Sequence, residues 1–129
     1  MNVVDSSAWL EYFANGENAS YFSKPIEQTD ELLVPSLTIY EVFKRVLQQR
    51  DEGDALQVVA VMQQGTVIDL DARIALSAAR LSIEASLPMA DSVVLATARA
   101  YGAVLWTQDS DFKHLPDVRY REKKTQAKR

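Results

Sequence analysis

Of five acids that could do chemistry, Asp5, Asp109 and Asp111 lie just beyond the ends of short apolar runs, Glu41 lies in a helical stretch after another such run, and Asp91 opens the helical stretch before the last. The stretch "LWTQDSDF" at residues 105–112 is the plainest case, since an ordinary turn after a buried strand does not need two aspartates one residue apart. Carboxylates gathered in one crevice raise one another's pKa and resist ionising together. Mg²⁺ or Mn²⁺ offsets that repulsion: both ions prefer hard oxygen ligands, and Mg²⁺ takes one or two direct carboxylates at ~2.0 to 2.1 Å while keeping several waters. An ion held this way lowers the pKa of a bound water, orients it for in-line attack and stabilises the leaving oxygen of a phosphodiester. Metal-dependent cleavage of nucleic acid is the chemistry such a cluster supports.

Distant acids meet only if the fold brings them to one rim. Residues 2–4, 32–34, 66–68 and 103–106 read as short strands, each a run of apolar or β-branched residues. Helices are expected over residues 6–15, 19–28, from Thr38 onward, 51–64, from a cap at Asp71 to about 85, and 91–101, closed by Gly102. In the third of these, Ile39, Val42, Phe43, Val46 and Leu47 form one helical stripe. Buried strands alternating with helices predict an α/β class chain: an α/β/α sandwich with a central, mostly parallel sheet. The carboxyl ends of parallel strands share one edge, where ligands bind. Asp5, Asp109 and Asp111 fall at that edge and Glu41 on the helix after the second strand, whereas pattern alone leaves the placement of Asp91 open.

Composition narrows the chemistry further. The 129 residues are 47% hydrophobic, enough for one domain with a sizeable core, expected over residues 1–120. There is no cysteine, which excludes thiolate zinc sites, disulfides and cysteine nucleophiles. No apolar run approaches the roughly 18 residues that cross a bilayer, and no signal-peptide pattern opens the chain, so a cytoplasmic protein without membrane contact is expected. The net charge of -4 hides an asymmetry: the last eleven residues hold six Lys or Arg against one Glu, while residues 1–118 hold eight basic against 17 acidic residues. Residues 121–129 are expected to be a basic, flexible tail. Together with Lys44 and Arg45 it is a candidate for phosphate contacts.

Each acid also has a plainer explanation. Asp5 can cap the helix after it. Thr38 to Glu41 matches a capping box, with Leu37 and Val42 as its hydrophobic staple, which places Glu41 on the polar face with Lys44 and Arg45. Asp91 can be an N-cap, and either Asp109 or Asp111 can form an Asx turn. His114, the single histidine, lies past the motif in a loop, and Trp9, Tyr12 and Phe13 follow helical spacing as core residues do.

Taken together, "VVDSSAWLEYF", "PSLTIYEVFKRVL" and "LPMADSVVLATARAYGAVLWTQDSDF" resemble the PIN-domain family, and within it the VapC-type ribonuclease toxins of toxin-antitoxin pairs. The likeness covers the chain to about residue 120. It implies Asp5, Glu41, Asp91 and Asp109 as the catalytic acids, with Asp5, Asp91 and Asp109 at the metal. Ser7, Thr107 and Asp111 would support them. It further implies an α/β/α sandwich, dependence on Mg²⁺ or Mn²⁺, an RNA substrate, a homodimer, and a cognate antitoxin protein whose C-terminal segment covers the active groove.

Two rivals make different demands. A non-catalytic PIN-like module would hold RNA or protein without cutting, and no missing acid favours it. A phosphatase with an aspartate nucleophile wants a second aspartate two residues after Asp5, where this chain has Ser7.

Overall fold

In a computed structural model describing residues 1–123, the chain threads five strands and six α-helices into a sheet covered on both faces. The strands are β1 (Asn2–Val4), β2 (Leu32–Pro35), β3 (Thr66–Ile68), β4 (Val104–Thr107) and β5 (Val118–Tyr120). The helices are α1 (Ser6–Phe13), α2 (Ala19–Glu27), α3 (Ser36–Gln49), α4 (Glu52–Met62), α5 (Ala72–Glu84) and α6 (Met89–Ala100). Every pairing is parallel, in the order β3-β2-β1-β4-β5. The sheet expected to be mostly parallel is wholly so.

Two apolar layers explain the unbroken hydrophobic runs of the central strands. Val4, Leu32, Val34 and Trp106 pack against α1, α2, α3 and α4, with Trp9, Phe22, Val42 and Met62 fully buried among them. Their neighbours Val3, Leu33 and Leu105 point to the opposite face, against Leu87, Val94, Leu95, Ala98 and Phe112. Side chains alternate along a strand, so burial on both faces demands apolar residues at consecutive positions. Helix α6 is buried from Ser92 to Ala98, and it ends in a Schellman motif: Ala103 N–H donates to Ala98 C=O (2.8 Å), with Gly102 at φ 62°.

The chain grows outward from β1 in both directions, so the strand order reverses between β1 and β4. Such a reversal opens a crevice at the carboxyl edge of the sheet. Asp5 leaves β1 on one side of it, with its N–H donated to Trp106 C=O at 2.9 Å, and Thr107 to Asp109 leave β4 on the other.

Three expectations need correction. Strand β5 is a fifth strand where the sequence showed four; at three residues it is too short to display a period. Helix α3 begins at Ser36, behind Pro35, so Thr38 lies inside its first turn, where its hydroxyl donates to Pro35 C=O (2.6 Å) and forms no capping box with Glu41. Helix α6 begins at Met89, behind Pro88, which makes Asp91 a first-turn residue instead of the N-cap. Both prolines sit at N-cap positions with extended ψ, where a missing N–H costs nothing. Asp71 does cap α5, accepting from Ile74 N–H at 2.9 Å. Of the expected tail, residues 124–129 lie outside the described residues.

Candidate active site

Asp5 is 2% exposed and sits at the N-cap position of α1, yet its side chain makes no cap hydrogen bond. Two hydroxyls converge on its Oδ2 instead: Ser7 Oγ donates at 2.7 Å and Thr107 Oγ1 at 2.9 Å. Thr107 Oγ1 in turn accepts from Asp109 N–H (2.9 Å), so one threonine ties the first acid to the backbone of the loop after β4. Burial pushes the Asp5 carboxyl above its usual range, the two hydroxyls pull it back, and the charge of Asp109 pushes it up again.

That loop is a short 3-10 turn, Ser110–Phe112, capped by Asp109, whose Oδ1 accepts from Asp111 N–H at 2.9 Å. Asp109 is therefore the Asx-turn residue, and its carboxylate also belongs to the cluster of acids in the crevice. Carboxylate oxygens of Asp91, Asp109 and Asp111 all lie within 4.8 Å of one another. Asp91 and Asp109 are half-buried and Asp111 is exposed, so the group opens toward solvent with Asp5 deeper behind it. Asp111, expected in a supporting role, thus stands in the tightest trio.

The electrostatics tie all the acids together. Burial is the largest influence on Asp91; the charges of Asp109 and Asp5 and a hydrogen bond with Asp111 add to it, and its carboxyl is pushed up to about 8. Glu41 is raised by burial and by the charges of Asp5 and Asp109, against a hydrogen bond from Ser6. Like charges at close range have this signature. Among the described residues the ion pairs are Met1 with Glu31 and Arg50 with Asp54, so no basic side chain neutralises the group. An all-oxygen donor set with uncompensated negative charge fits a hard divalent cation.

Several other residues fall into place. Trp9 is fully buried and stacks on Phe13 with ring centres 5.7 Å apart, as the helical spacing suggested. His114, Lys44 and Arg45 are exposed, and Lys44 lies over the Tyr40 ring at 5.6 Å. A supporting layer escaped the sequence reading. Buried Asn18 donates from Nδ2 to Gln108 Oε1 (3.0 Å) and to Glu122 C=O (3.1 Å), and its N–H donates to Glu11 Oε2 (2.8 Å). Gln108 N–H reaches Ser7 Oγ at 3.3 Å, which links this layer to the hydroxyl holding Asp5. In the sequence Asn18 reads as a loop residue, and only its long-range partners reveal it.

The model of the family described as PIN domain matches residues 3–118. No curated protein matches the chain. Among solved structures, a toxin-antitoxin complex from Klebsiella pneumoniae is similar, with TM-score 0.77 and 20% identity over 92% of this chain and 95% of that one. VapC20 of Mycobacterium tuberculosis, a sarcin-ricin loop cleaving toxin, superposes with TM-score 0.73 and 14% identity over 90% and 95% of the two chains. PAE2754 from Pyrobaculum aerophilum reaches 28% identity with TM-score 0.64, over 85% and 80%. For the first two, identity this low speaks to the fold.

Proposed function

Because the chain belongs to the PIN-domain family, we propose that it is a metal-dependent endoribonuclease, the toxin of a VapBC-type toxin-antitoxin pair. The observation that carries this reading is the convergence of Asp91, Asp109 and Asp111 within 4.8 Å, without a basic partner among the described residues and beside buried Asp5. Asp5, Asp91 and Asp109 would hold Mg²⁺ or Mn²⁺ or its water shell, with Asp111 beside them. The bound ion supplies an activated water and charge stabilisation at the phosphorus.

The chain's own groups do the rest. Ser7 and Thr107 hold Asp5 in one orientation through its Oδ2. Glu41, raised above the usual carboxylate range, is suited to take a proton from the attacking water. Asn18 and Gln108 brace the Ser7 hydroxyl from behind.

RNA incubated with the protein in Mg²⁺ and in EDTA tests the reading. Cleavage with Mg²⁺ alone, lost in Asp109→Asn, is the expected result; no cleavage in Mg²⁺, or equal cleavage in EDTA, overturns it and leaves a PIN-like binding module. A small antitoxin covering the carboxylate crevice is the proposed protein partner, supported by the likeness to toxin-antitoxin complexes, and co-purification with the product of a neighbouring small gene tests it. A second copy is proposed on the apolar face of α5 and the start of α6, where Leu76, Ile83 and Met89 are 69%, 84% and 77% exposed. The cytoplasm is the proposed site of action; no single helix among the described residues is long and apolar enough to cross a membrane.

A further inference from the structure

We infer that the outer edge of the sheet at β5, carrying Arg119 and Arg121, is a docking strip for the phosphodiester backbone of single-stranded RNA. The choice of ligand rests on the nuclease reading above, whereas the strip rests on its own geometry. Arg119 pairs in register with Trp106, and its guanidinium lies over that ring at 5.2 Å. Arg121, two residues on and so on the same face of the sheet, lies over Tyr21 at 4.0 Å. Tyr21 itself packs against Trp106 with ring centres 5.1 Å apart and has Lys24 at 5.6 Å. Three exposed cations thus converge on two contiguous rings. Among the described residues, none of the three is ion-paired.

A guanidinium resting on a ring offers its face to the π system and keeps its in-plane N–H groups free, and those are the groups that grip phosphate oxygens. Stacking also fixes the side chain in advance, so little rotamer entropy remains to be lost on binding. One long side chain per ring would cover the apolar surface; Tyr21 carries two, which packing alone does not require. The two arginines stand about 6.6 Å apart along the strand, comparable to successive phosphates of an extended single strand.

Location favours RNA over an acidic protein. Arg121 N–H donates to Thr107 C=O (3.0 Å), and Thr107 also holds Asp5, so the strip ends one strand away from the carboxylate crevice. The Asn18 contact with Glu122 C=O fastens the chain just beyond Arg121. Because residues 1–118 carry eight basic against 17 acidic residues, a polyanion approaching this rim needs such a concentrated foothold.

Anisotropy of a labelled single-stranded RNA in EDTA, over a series of salt concentrations, tests the strip without cleavage. Against the unmodified protein, Arg119→Gln/Arg121→Gln should bind more weakly and show a slope of log affinity against log salt reduced by about 1.4, or about 0.7 per lost phosphate contact. Arg119→Lys/Arg121→Lys, which keeps the charge, should retain most of the slope, separating loss of phosphate contacts from loss of packing. Three results overturn the proposal: an unchanged slope in the Gln variant, no RNA binding by the unmodified protein, or binding to a polyglutamate peptide but not to RNA. Cleavage by the unmodified protein in Mg²⁺ is scored separately, so failure of the nuclease reading and failure of the strip are told apart.

Discussion

Asp91, in the first turn of α6, and Asp111, in the turn after β4, bring carboxylate oxygens together with one from Asp109, all within 4.8 Å of one another. A proton on Asp91 relieves the repulsion within that trio only while no cation takes its place. Since Asp91 is pushed up to about 8, Mg²⁺ binding must displace that proton. Affinity for Mg²⁺ should therefore rise about tenfold per pH unit below about 8 and level off above it. Calorimetry in buffers of different ionisation enthalpy should show proton release at pH 7; binding indifferent to pH would contradict the coupling.

The same shift sets the sign of stability against pH in metal-free protein. A carboxyl raised in the folded state binds more protons folded than unfolded, so stability falls as pH climbs from about 4 toward 8. Asp5 and Glu41, raised in the same direction, add to the slope. Asp91→Asn should remove most of it. Discounted for a half-buried group screened by solvent, the gain at pH 8 is about 1 kcal/mol. Thermal unfolding of both proteins in EDTA at pH 5 and pH 8 measures it, and a variant that loses stability at pH 8 would refute the repulsion.

Glu41→Gln separates chemistry from capping. Because α3 starts at Ser36 and no capping box forms, the substitution should leave stability within about 0.5 kcal/mol. RNA cleavage should fall by about 100-fold or more through loss of the base. Asp71→Ala is the positive control: it removes a formed cap and should cost about 1 kcal/mol. Denaturant titrations of the two variants decide; a Glu41→Gln loss as large as that of Asp71→Ala would restore the structural role.

Thr107→Val replaces a hydroxyl by a methyl of similar size. It strips one of the two donors from Asp5 Oδ2 and the acceptor from Asp109 N–H. Losing a hydrogen bond to a buried carboxylate should cost about 1.5 to 3 kcal/mol. It should also raise the Asp5 carboxyl further, moving the acidic limb of the pH-rate profile upward. An unshifted profile would mean that Thr107 does not tune Asp5.

The sequence displayed much of this molecule because its central strands are buried on both sides. Val3 with Val4 and Leu105 with Trp106 must all be apolar, and the acids stand out where those runs stop. The start of α3 was misplaced because Pro35 looks like a break while serving as an N-cap, and the hydrophobic stripe becomes regular only after Thr38. Strand β5 has a single exposed arginine between two half-buried residues, too little alternation to recognise. Asp111 owes its place to the 3-10 turn that Asp109 caps, a geometry that composition does not encode. The Asn18, Gln108 and Glu11 layer joins residues far apart in the chain, and no local pattern announces it.

Asp5 follows a strand with hydrogen-bonded neighbours on both sides, β2 and β4, and its own N–H is bonded to Trp106 C=O. Fraying of an outer strand leaves that anchor undisturbed; dislodging it means rupturing the middle of the sheet, which occurs only when the whole molecule opens. Amide exchange at Asp5 should consequently be as slow as the slowest in the protein, while Asp111, on an exposed turn, exchanges sooner. One jaw of the vice is bolted to the bench and the other slides, so any breathing that admits or expels an ion takes place on the Asp111 side.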